Sequence, residues 1–167
     1  MIKAITTFII LLLLTTGAAR AQFIKAELQI NGINCALCAT ATTKQLKALP
    51  FINDVKADLI RNTYLITFKS GEQVDFDLLG KKVKDQGFFV SVLKATFNFS
   101  NVKVADNCFS YAGDTFQLMN ASKTPEGIAE LTIVDRGLAP KSVSKKYLGK
   151  IAEVNNTATG RLYHVAI

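Results

Sequence analysis

The order of strand-like and helix-like segments between residues 24 and 95 is the feature that most limits the fold of this chain. Residues 24–31 alternate between apolar and polar side chains, which is the period of a half-buried strand. Residues 38–49 contain no glycine or proline and are rich in good helix formers. We therefore expect a helix there that ends before Pro50, because proline disfavours helical backbone in the residue before it.

Strand-like and helix-like segments also follow one another along the next part of the chain. Residues 55–59 and 64–68 alternate as strands and are separated by a turn-forming Arg-Asn pair, which predicts a hairpin. Asp75 is a suitable N-cap for a second helix that runs to Gln86 and stops at the following glycine. Residues 88–95 then predict a fourth strand. The resulting order is β-α-β-β-α-β.

The remainder of the chain is predicted to be rich in strands. One short helix is expected at residues 142–150, and apolar alternation recurs at residues 97–104, 115–119, 128–134 and 161–167. This order is similar to that of small OB-type barrels. We therefore expect an α+β fold in which a ferredoxin-like domain at residues 23–95 precedes a small β-rich, OB-like domain at residues 96–167. A sandwich, or an extension of the first sheet at its edge, is the alternative.

Two cysteines stand between the first predicted strand and the first predicted helix, in the segment Gly32-Ile33-Asn34-Cys35-Ala36-Leu37-Cys38. Thiolates are soft ligands that select copper(I) and similar ions, and a helix N-terminus favours the thiolate form. A pair of thiolates suits a two-coordinate ion, whereas zinc usually requires four ligands. Cys35 and Cys38 are therefore predicted to bind a soft metal ion, with copper(I) preferred.

The other soft donors in the chain are isolated. Cys108 is expected to be a small buried apolar residue, with an intermolecular disulfide or a third metal ligand as alternatives. His164 is the single histidine and lies in an alternating terminal segment, where packing is the simpler interpretation. No serine–histidine–aspartate set, paired carboxylates or phosphate loop is visible in the sequence, so we do not predict an enzyme.

The segment around the two cysteines resembles a known family. The G-x-x-C-x-x-C loop, with a β-α-β-β-α-β pattern around it, is similar to the heavy-metal-associated domain of copper chaperones, metal-transporting P-type ATPases and the periplasmic mercury-binding protein. Leu46 matches a helix-face leucine of that family, residues 49–55 resemble its turn into the second strand, and residues 85–88 resemble its entry to the last strand. The resemblance covers residues 24–95.

The resemblance carries implications for the site and its partners. It implies that Cys35 and Cys38 bind copper(I), with mercury(II) and zinc(II) as alternatives, that Phe88 packs near the metal loop, and that a metal-transporting protein is a partner. The sequence departs from the family at several positions, where it has Ile33 in place of methionine, Thr42 in place of a branched aliphatic residue and Phe51 in place of glycine.

Two other functions are compatible with the cysteine pair. A non-enzymatic interaction module would keep Cys35 and Cys38 as a structural disulfide, as an oxidising compartment allows. A dithiol redox protein of the thioredoxin type also places C-x-x-C at a helix start. That type needs more chain before the motif and an aromatic residue before its first cysteine, and this sequence has neither.

The N-terminus has the three regions of a secretory signal peptide. Lys3 precedes an apolar run at residues 6–16, and Ala19-Arg20-Ala21 fits a small-x-small cleavage site. We expect cleavage after residue 21 and a secreted or periplasmic mature chain that contains no membrane span. The net charge of +7 is distributed among interleaved acidic and basic residues, so no nucleic-acid surface is predicted.

Overall fold

The computed structural model describes residues 22–121, 123–149 and 160–167. The predicted signal peptide at residues 1–21 lies outside the described residues. The elements are, in chain order, β1 (Gln22–Asn31), α1 (Ala36–Lys47), β2 (Ile52–Asp58), β3 (Thr63–Phe68), α2 (Phe76–Asp85), β4 (Phe89–Asn98), β5 (Cys108–Tyr111), β6 (Asp114–Leu118), β7 (Ile128–Ile133), α3 (Lys141–Leu148) and β8 (Leu162–Ala166). No helix among the described residues is long and apolar enough to cross a membrane.

The first six elements form the predicted β-α-β-β-α-β unit. Its strands lie in the order β2-β3-β1-β4 and pair antiparallel, with β1 between β3 and β4. Helix α2 begins as predicted, because the Asp75 carboxylate accepts a hydrogen bond from the backbone N–H of Leu78 at 2.8 Å. Gly87 follows this helix with φ of +84°, a conformation that glycine adopts without strain. The α+β, ferredoxin-like part of the prediction is confirmed.

The strands after residue 95 continue the first sheet. The eight strands form a single sheet in the order β2-β3-β1-β4-β7-β8-β6-β5, with β6 and β8 parallel. Strand β4 crosses the predicted domain boundary at residues 95–96 and pairs with β7 from Lys94↔Thr132 to Asn98↔Ile128. A separate OB-like domain is therefore not confirmed, because β4 has a free edge after pairing with β1 and the C-terminal strands add to that edge. This arrangement corresponds to the alternative of an extended sheet.

Strand β5 was missed by the sequence-based prediction. It contains four residues and joins β6 through Ala112 and Gly113, which have φ of +51° and +92°. Positive φ at both central residues is the geometry of a tight hairpin turn whose twist matches the strands that it joins. Alanine does not indicate a turn with positive φ, so the sequence on either side of it could not be recognised as a hairpin.

An aromatic cluster lies at the start of β1 and joins the two halves of the sheet. Strand β1 has a register shift between Phe23 and Lys25, so Phe23 is buried where simple alternation places Ile24 in the core. The ring of Phe23 lies 4.7–5.5 Å, between centroids, from four rings of β4, α2, β6 and β5, namely Phe97, Phe76, Phe116 and Tyr111. Such contacts require the β5–β6 hairpin to fold back over the first strand.

A second close contact joins α2 to the segment before α3. A Cβ atom added at Gly80 would lie 2.5 Å from Cδ2 of Leu138 and 3.3 Å from the carbonyl oxygen of Gly137. Leu138 is itself buried in the common core, so its side chain has little space to move away. Gly80 therefore permits the helix to approach the C-terminal part of the chain.

We expect Gly80→Ala to destabilise the protein. Overpacking against Leu138 costs about 1–3 kcal/mol, and the gain in helix propensity of about 1 kcal/mol offsets only part of that cost. Urea unfolding would measure the change, with the exposed α2 position Lys84→Ala as the control, which should stay within about 0.5 kcal/mol of the parent. An equal or higher stability of Gly80→Ala would contradict the close packing of α2 on Leu138.

Candidate functional site: a cysteine pair at the start of α1

The two cysteines lie in the connection from β1 to α1. Gly32 has φ of +100°, which lets the chain turn away from the sheet immediately after Asn31. Ile33 is buried in the core, so it anchors the loop from below. The next two residues, Asn34 and Cys35, are exposed at the surface.

Cys35 forms the N-cap of α1. It has extended backbone angles, φ of −136° and ψ of 147°, and its sulfur accepts a hydrogen bond from the backbone N–H of Cys38 at 3.0 Å. A side-chain acceptor at the N-cap satisfies one of the unpaired N–H groups of the first helical turn. The helix begins at Ala36, two residues before the predicted start, because the sulfur takes the place of the usual oxygen acceptor.

The structure joins Cys35 and Cys38 as a disulfide. Their Cα atoms are 5.3 Å apart, within the range that a disulfide requires. Cys35 is exposed, whereas Cys38 is half-buried and packs against the hydrophobic core. The two sulfur atoms therefore meet at the surface end of the helix, where a reductant or a small ion has access to them.

Two neighbouring contacts hold the loop and its helix in place. The ring of Phe88 lies against Gly32, since a Cβ atom at that glycine would be 3.2 Å from Cδ1 of Phe88. This places Phe88 beside the cysteine loop, where the resemblance had put it. The hydroxyl of Thr42 donates to Oε1 of Gln86 at 3.0 Å, which satisfies a polar group in the fully buried position where the family has an aliphatic residue.

The remaining soft donors are remote from this pair. Cys108 lies in β5, whose neighbours contact Phe23 at the beginning of β1, whereas Cys35 follows the end of that strand. The strand between these two ends is about 30 Å long at ~3.3 Å per residue. Burial and the nearby Asp106 carboxylate raise the pKa of the Cys108 thiol. Within the described residues, no group of three or more histidine, cysteine, aspartate or glutamate side chains is arranged to hold a metal.

His164 contacts a buried carboxylate in the C-terminal part of the sheet. Its Nδ1 lies 2.8 Å from Oδ1 of Asp135, and its backbone N–H donates to Oδ2 of the same residue at 2.7 Å. The guanidinium of Arg161 lies 3.7 Å from the Asp135 carboxylate as well. Because the pair links β8 to the segment that follows β7, it explains His164 as a structural residue of the extended sheet.

Exposed apolar side chains surround the loop at this end of the sheet. Leu37, between the two cysteines, is 83% exposed, and Ile60 in the β2–β3 turn is 96% exposed. Phe89 is 71% exposed and pairs with Asn31, the last residue of β1. The turn is near because the backbone N–H of Ile30 donates to the carbonyl of Asn62 at 3.1 Å.

Comparison with known proteins gives one relative by sequence and several by fold. No family model matches the chain. The copper-exporting P-type ATPase of Staphylococcus haemolyticus is 33% identical over 64 residues, which make up 38% of this chain and only 8% of the ATPase. The chain therefore spans less than a tenth of the length of that relative.

Similar solved structures cover about two fifths of the chain. They include the yeast copper transporter domain Ccc2a, with 25% identity, a TM-score of 0.36 and coverage of 39% of this chain and 88% of that one. A CopZ metallochaperone has 18% identity, a TM-score of 0.37 and coverage of 40% and 97%. These TM-scores are too low to support a functional conclusion.

Fold and sequence together show what the first part of the chain is similar to. Its β-α-β-β-α-β order, the cysteine pair at the first strand–helix connection and the identity to the ATPase segment are the features on which it resembles a heavy-metal-associated domain. The extension of its sheet by β5 to β8 is an addition to that domain.

We expect the three thiols of the reduced protein to differ in alkylation rate. Cys35 should react first at about pH 7, because it is exposed and its sulfur accepts an N–H from the start of α1. Cys108 should react last, because burial and Asp106 favour its protonated form. Mass spectrometry of timed iodoacetamide reactions would measure the order, and the rates should converge in denaturant. Equal rates for Cys35 and Cys108 in the folded protein would contradict this assignment.

Proposed function

We propose that this protein binds a single soft metal ion, with copper(I) preferred, through the thiolates of Cys35 and Cys38 when they are reduced. The observation that carries the proposal is the convergence of both sulfur atoms at the exposed N-terminus of α1 in a heavy-metal-associated-like domain. The donor set fits the ion, because thiolates prefer soft metals and this pair has no further ligand group beside it in the described chain.

The local structure also suits an anionic metal–thiolate group. The first turn of α1 contains no acidic residue, and its N-terminal N–H groups and helix dipole favour negative charge. A copper(I) bis-thiolate has a net charge of −1 and would lie at this positive helix end. The identity to a segment of a copper-exporting ATPase supports copper(I) over mercury(II) and zinc(II).

The disulfide defines the condition for binding. A disulfide offers no thiolate, so it must first accept two electrons and two protons from a dithiol or another reductant to give two cysteine thiols. The disulfide also favours two alternative functions. One is a non-enzymatic module in which the Cys35–Cys38 disulfide is permanent, and the other is a dithiol redox protein that exchanges it. Both alternatives predict that added metal does not protect Cys35 and Cys38 from alkylation after the disulfide has been reduced.

We propose that the exposed apolar side chains around the cysteines contact a metal-transporting protein, so that the metal can be transferred to or from it. Leu37, Ile60 and Phe89 present apolar surface around the cysteines, and such surface at a ligand site suits transient contact with a partner. The metal would then pass between thiolates across a contact that excludes water. No catalytic group is required for this exchange, so the protein acts as a carrier or scavenger.

We further propose that the protein acts outside the cytoplasm, with residues 1–21 as a cleaved signal peptide. The backbone of Gln22 pairs with Asn98, and its side chain accepts a hydrogen bond from Ser70 at 3.0 Å. Cleavage after Ala21 would therefore leave every described element in place.

The decisive prediction concerns the two cysteines. Titration of the reduced protein with copper(I) in competition with a chromogenic chelator should show one ion bound per chain. Cys35→Ser and Cys38→Ser should each weaken binding at least 100-fold, which corresponds to about 2.7 kcal/mol, because a single thiolate remains. Cys108→Ser is the matched control and should bind as the parent does.

Thiol counting separates the proposal from its alternatives. In the reduced parent, copper(I) should protect two of the three thiols from alkylation and leave Cys108 reactive after unfolding. Unchanged alkylation of Cys35 and Cys38 in the presence of copper(I) would exclude metal binding there. Re-formation of the disulfide in spite of excess metal would favour the structural or redox alternative.

We expect the exported protein to begin at Gln22. Expression of the full sequence in a secreting host, followed by intact mass measurement of the extracytoplasmic fraction, would test the cleavage site. An uncleaved chain recovered from the cytoplasm would contradict export, and it would leave the metal-binding proposal to be judged by the titration alone.

A further inference from the structure

A cleft lies between α2, the start of β4 and the start of α3. Two adjoining cavities of about 560 and 420 Å³ form it and have Gly137, Ala139 and Lys141 as shared lining residues. The cleft exists only because the C-terminal extension packs against the first domain, through the close approach of Gly80 to Leu138. Neither cysteine lines it, and it adjoins the cysteine loop through Phe88, which also lies against Gly32.

Helix α3 opens into this cleft without a side-chain cap. Its N-cap is Pro140, which makes no capping hydrogen bond, and the first helical N–H that bonds to the Pro140 carbonyl belongs to Ser144. The N–H groups of residues 141–143 therefore lack partners within the helix. Such N–H groups, together with the helix dipole, form a favourable environment for an anion.

An unpartnered buried hydroxyl lies in the same place. Ser144 is only 1% exposed and lines the smaller cavity, and its Oγ has no hydrogen-bond partner in the described chain. The Oγ of Ser91, which lines the larger cavity, is also shielded and unpartnered. Buried hydroxyls without partners are uncommon and indicate a missing acceptor or donor.

Four cationic side chains line the cleft. They are Lys84, Arg136, Lys141 and Lys145. None of them forms an ion pair with a described acidic residue, whereas the buried Asp135 beside them is already paired with His164 and Arg161. The charged residues that line the cleft are therefore all cationic and form no ion pair within the described chain.

The larger cavity provides an apolar wall as well. Phe88, Phe89, Val90 and Pro140 line it, next to the uncapped helix end. A bound molecule that fills both cavities would therefore place a charged group at α3 and an apolar body against these side chains.

We propose that this cleft binds a small organic phosphate, with its phosphate group at the N-terminus of α3 and its apolar body against Phe88 and Phe89. The Ser144 hydroxyl and the open N–H groups of α3 donate to the phosphate oxygens, and Lys141 and Lys145 balance the charge. A dianionic phosphate suits this excess of cations better than a monoanionic carboxylate does.

Phenyl phosphate is the probe that tests the proposal, added to the intact mature protein and followed by amide NMR and calorimetry. Saturable binding should shift the amide signals of residues 141–144 most. Phenyl phosphate should bind more tightly than inorganic phosphate, which lacks the apolar body, and more tightly than phenylacetate, which has a single negative charge.

Ser144→Ala is the central variant. It removes a hydroxyl that has no partner in the described chain, so it should fold with unchanged or higher melting temperature while binding phenyl phosphate about tenfold more weakly. The double variant Lys141→Gln/Lys145→Gln should also weaken binding, whereas Lys103→Gln, at an exposed position that does not line the cleft, should not.

Several outcomes would overturn the proposal. They are a lack of saturable binding, equal affinity of the parent and Ser144→Ala, amide shifts centred on α1 or α2, and an equal effect of Lys103→Gln. If Ser144→Ala does not fold, the lysine double variant and its Lys103→Gln control decide the question alone. Copper(I) binding by the cysteine pair is measured in a separate titration, whose result does not depend on phosphate binding in the cleft.

Discussion

The aromatic cluster around Phe23 is the interaction on which the arrangement of the whole sheet depends. Phe23 contacts rings from β4, β5, β6 and α2, so one residue near the start of the described chain joins both halves of the structure. Each such pair contributes about 0.5–1.5 kcal/mol beyond the burial of its area. The cluster extends through the stacked rings of Phe109, Phe116 and Tyr163, whose centroids are 5.0 and 5.2 Å apart. The β5–β6 hairpin and β8 thus share a core with the first domain.

This core separates two ends of the molecule with different properties. The aromatic end is buried and rigid, because close-packed rings leave little room for rearrangement. The opposite end holds the cysteine loop, the β2–β3 turn and the start of β4, where exposed apolar residues surround Cys35. The cysteine loop is thereby held in place by Ile33 and Phe88 while the sulfur atom of Cys35 stays accessible.

The cysteine pair illustrates how one geometry serves two chemistries. A Cα separation of 5.3 Å allows a disulfide, and the same pair, once reduced, offers two soft ligands at a positive helix end. Under the proposed function, oxidation and metal binding would compete for the same sulfur atoms, and the redox state of the surroundings would determine which prevails. The export that we propose would make the protein depend on a reductant or on metal loading before oxidation.

The sequence by itself determined the order of the first six elements and the cysteine pair, because both are expressed in local patterns. Alternation predicted β1 to β4, Asp75 identified the start of α2, and the spacing of Cys35 and Cys38 identified the candidate site. The strand-rich character of the later residues was also visible, as was the short helix before the last strand.

Only the tertiary structure decided how these pieces combine. The register shift after Phe23, the positive φ of Ala112 and the pairing of β4 with β7 depend on contacts between distant residues, which no local pattern encodes. The cleft beside Ser144 arose in the same way, since its walls come from α2, β4 and α3. The order of strand-like segments after residue 95 predicted a separate second domain, but a free strand edge and a shared aromatic core united the strands in one sheet.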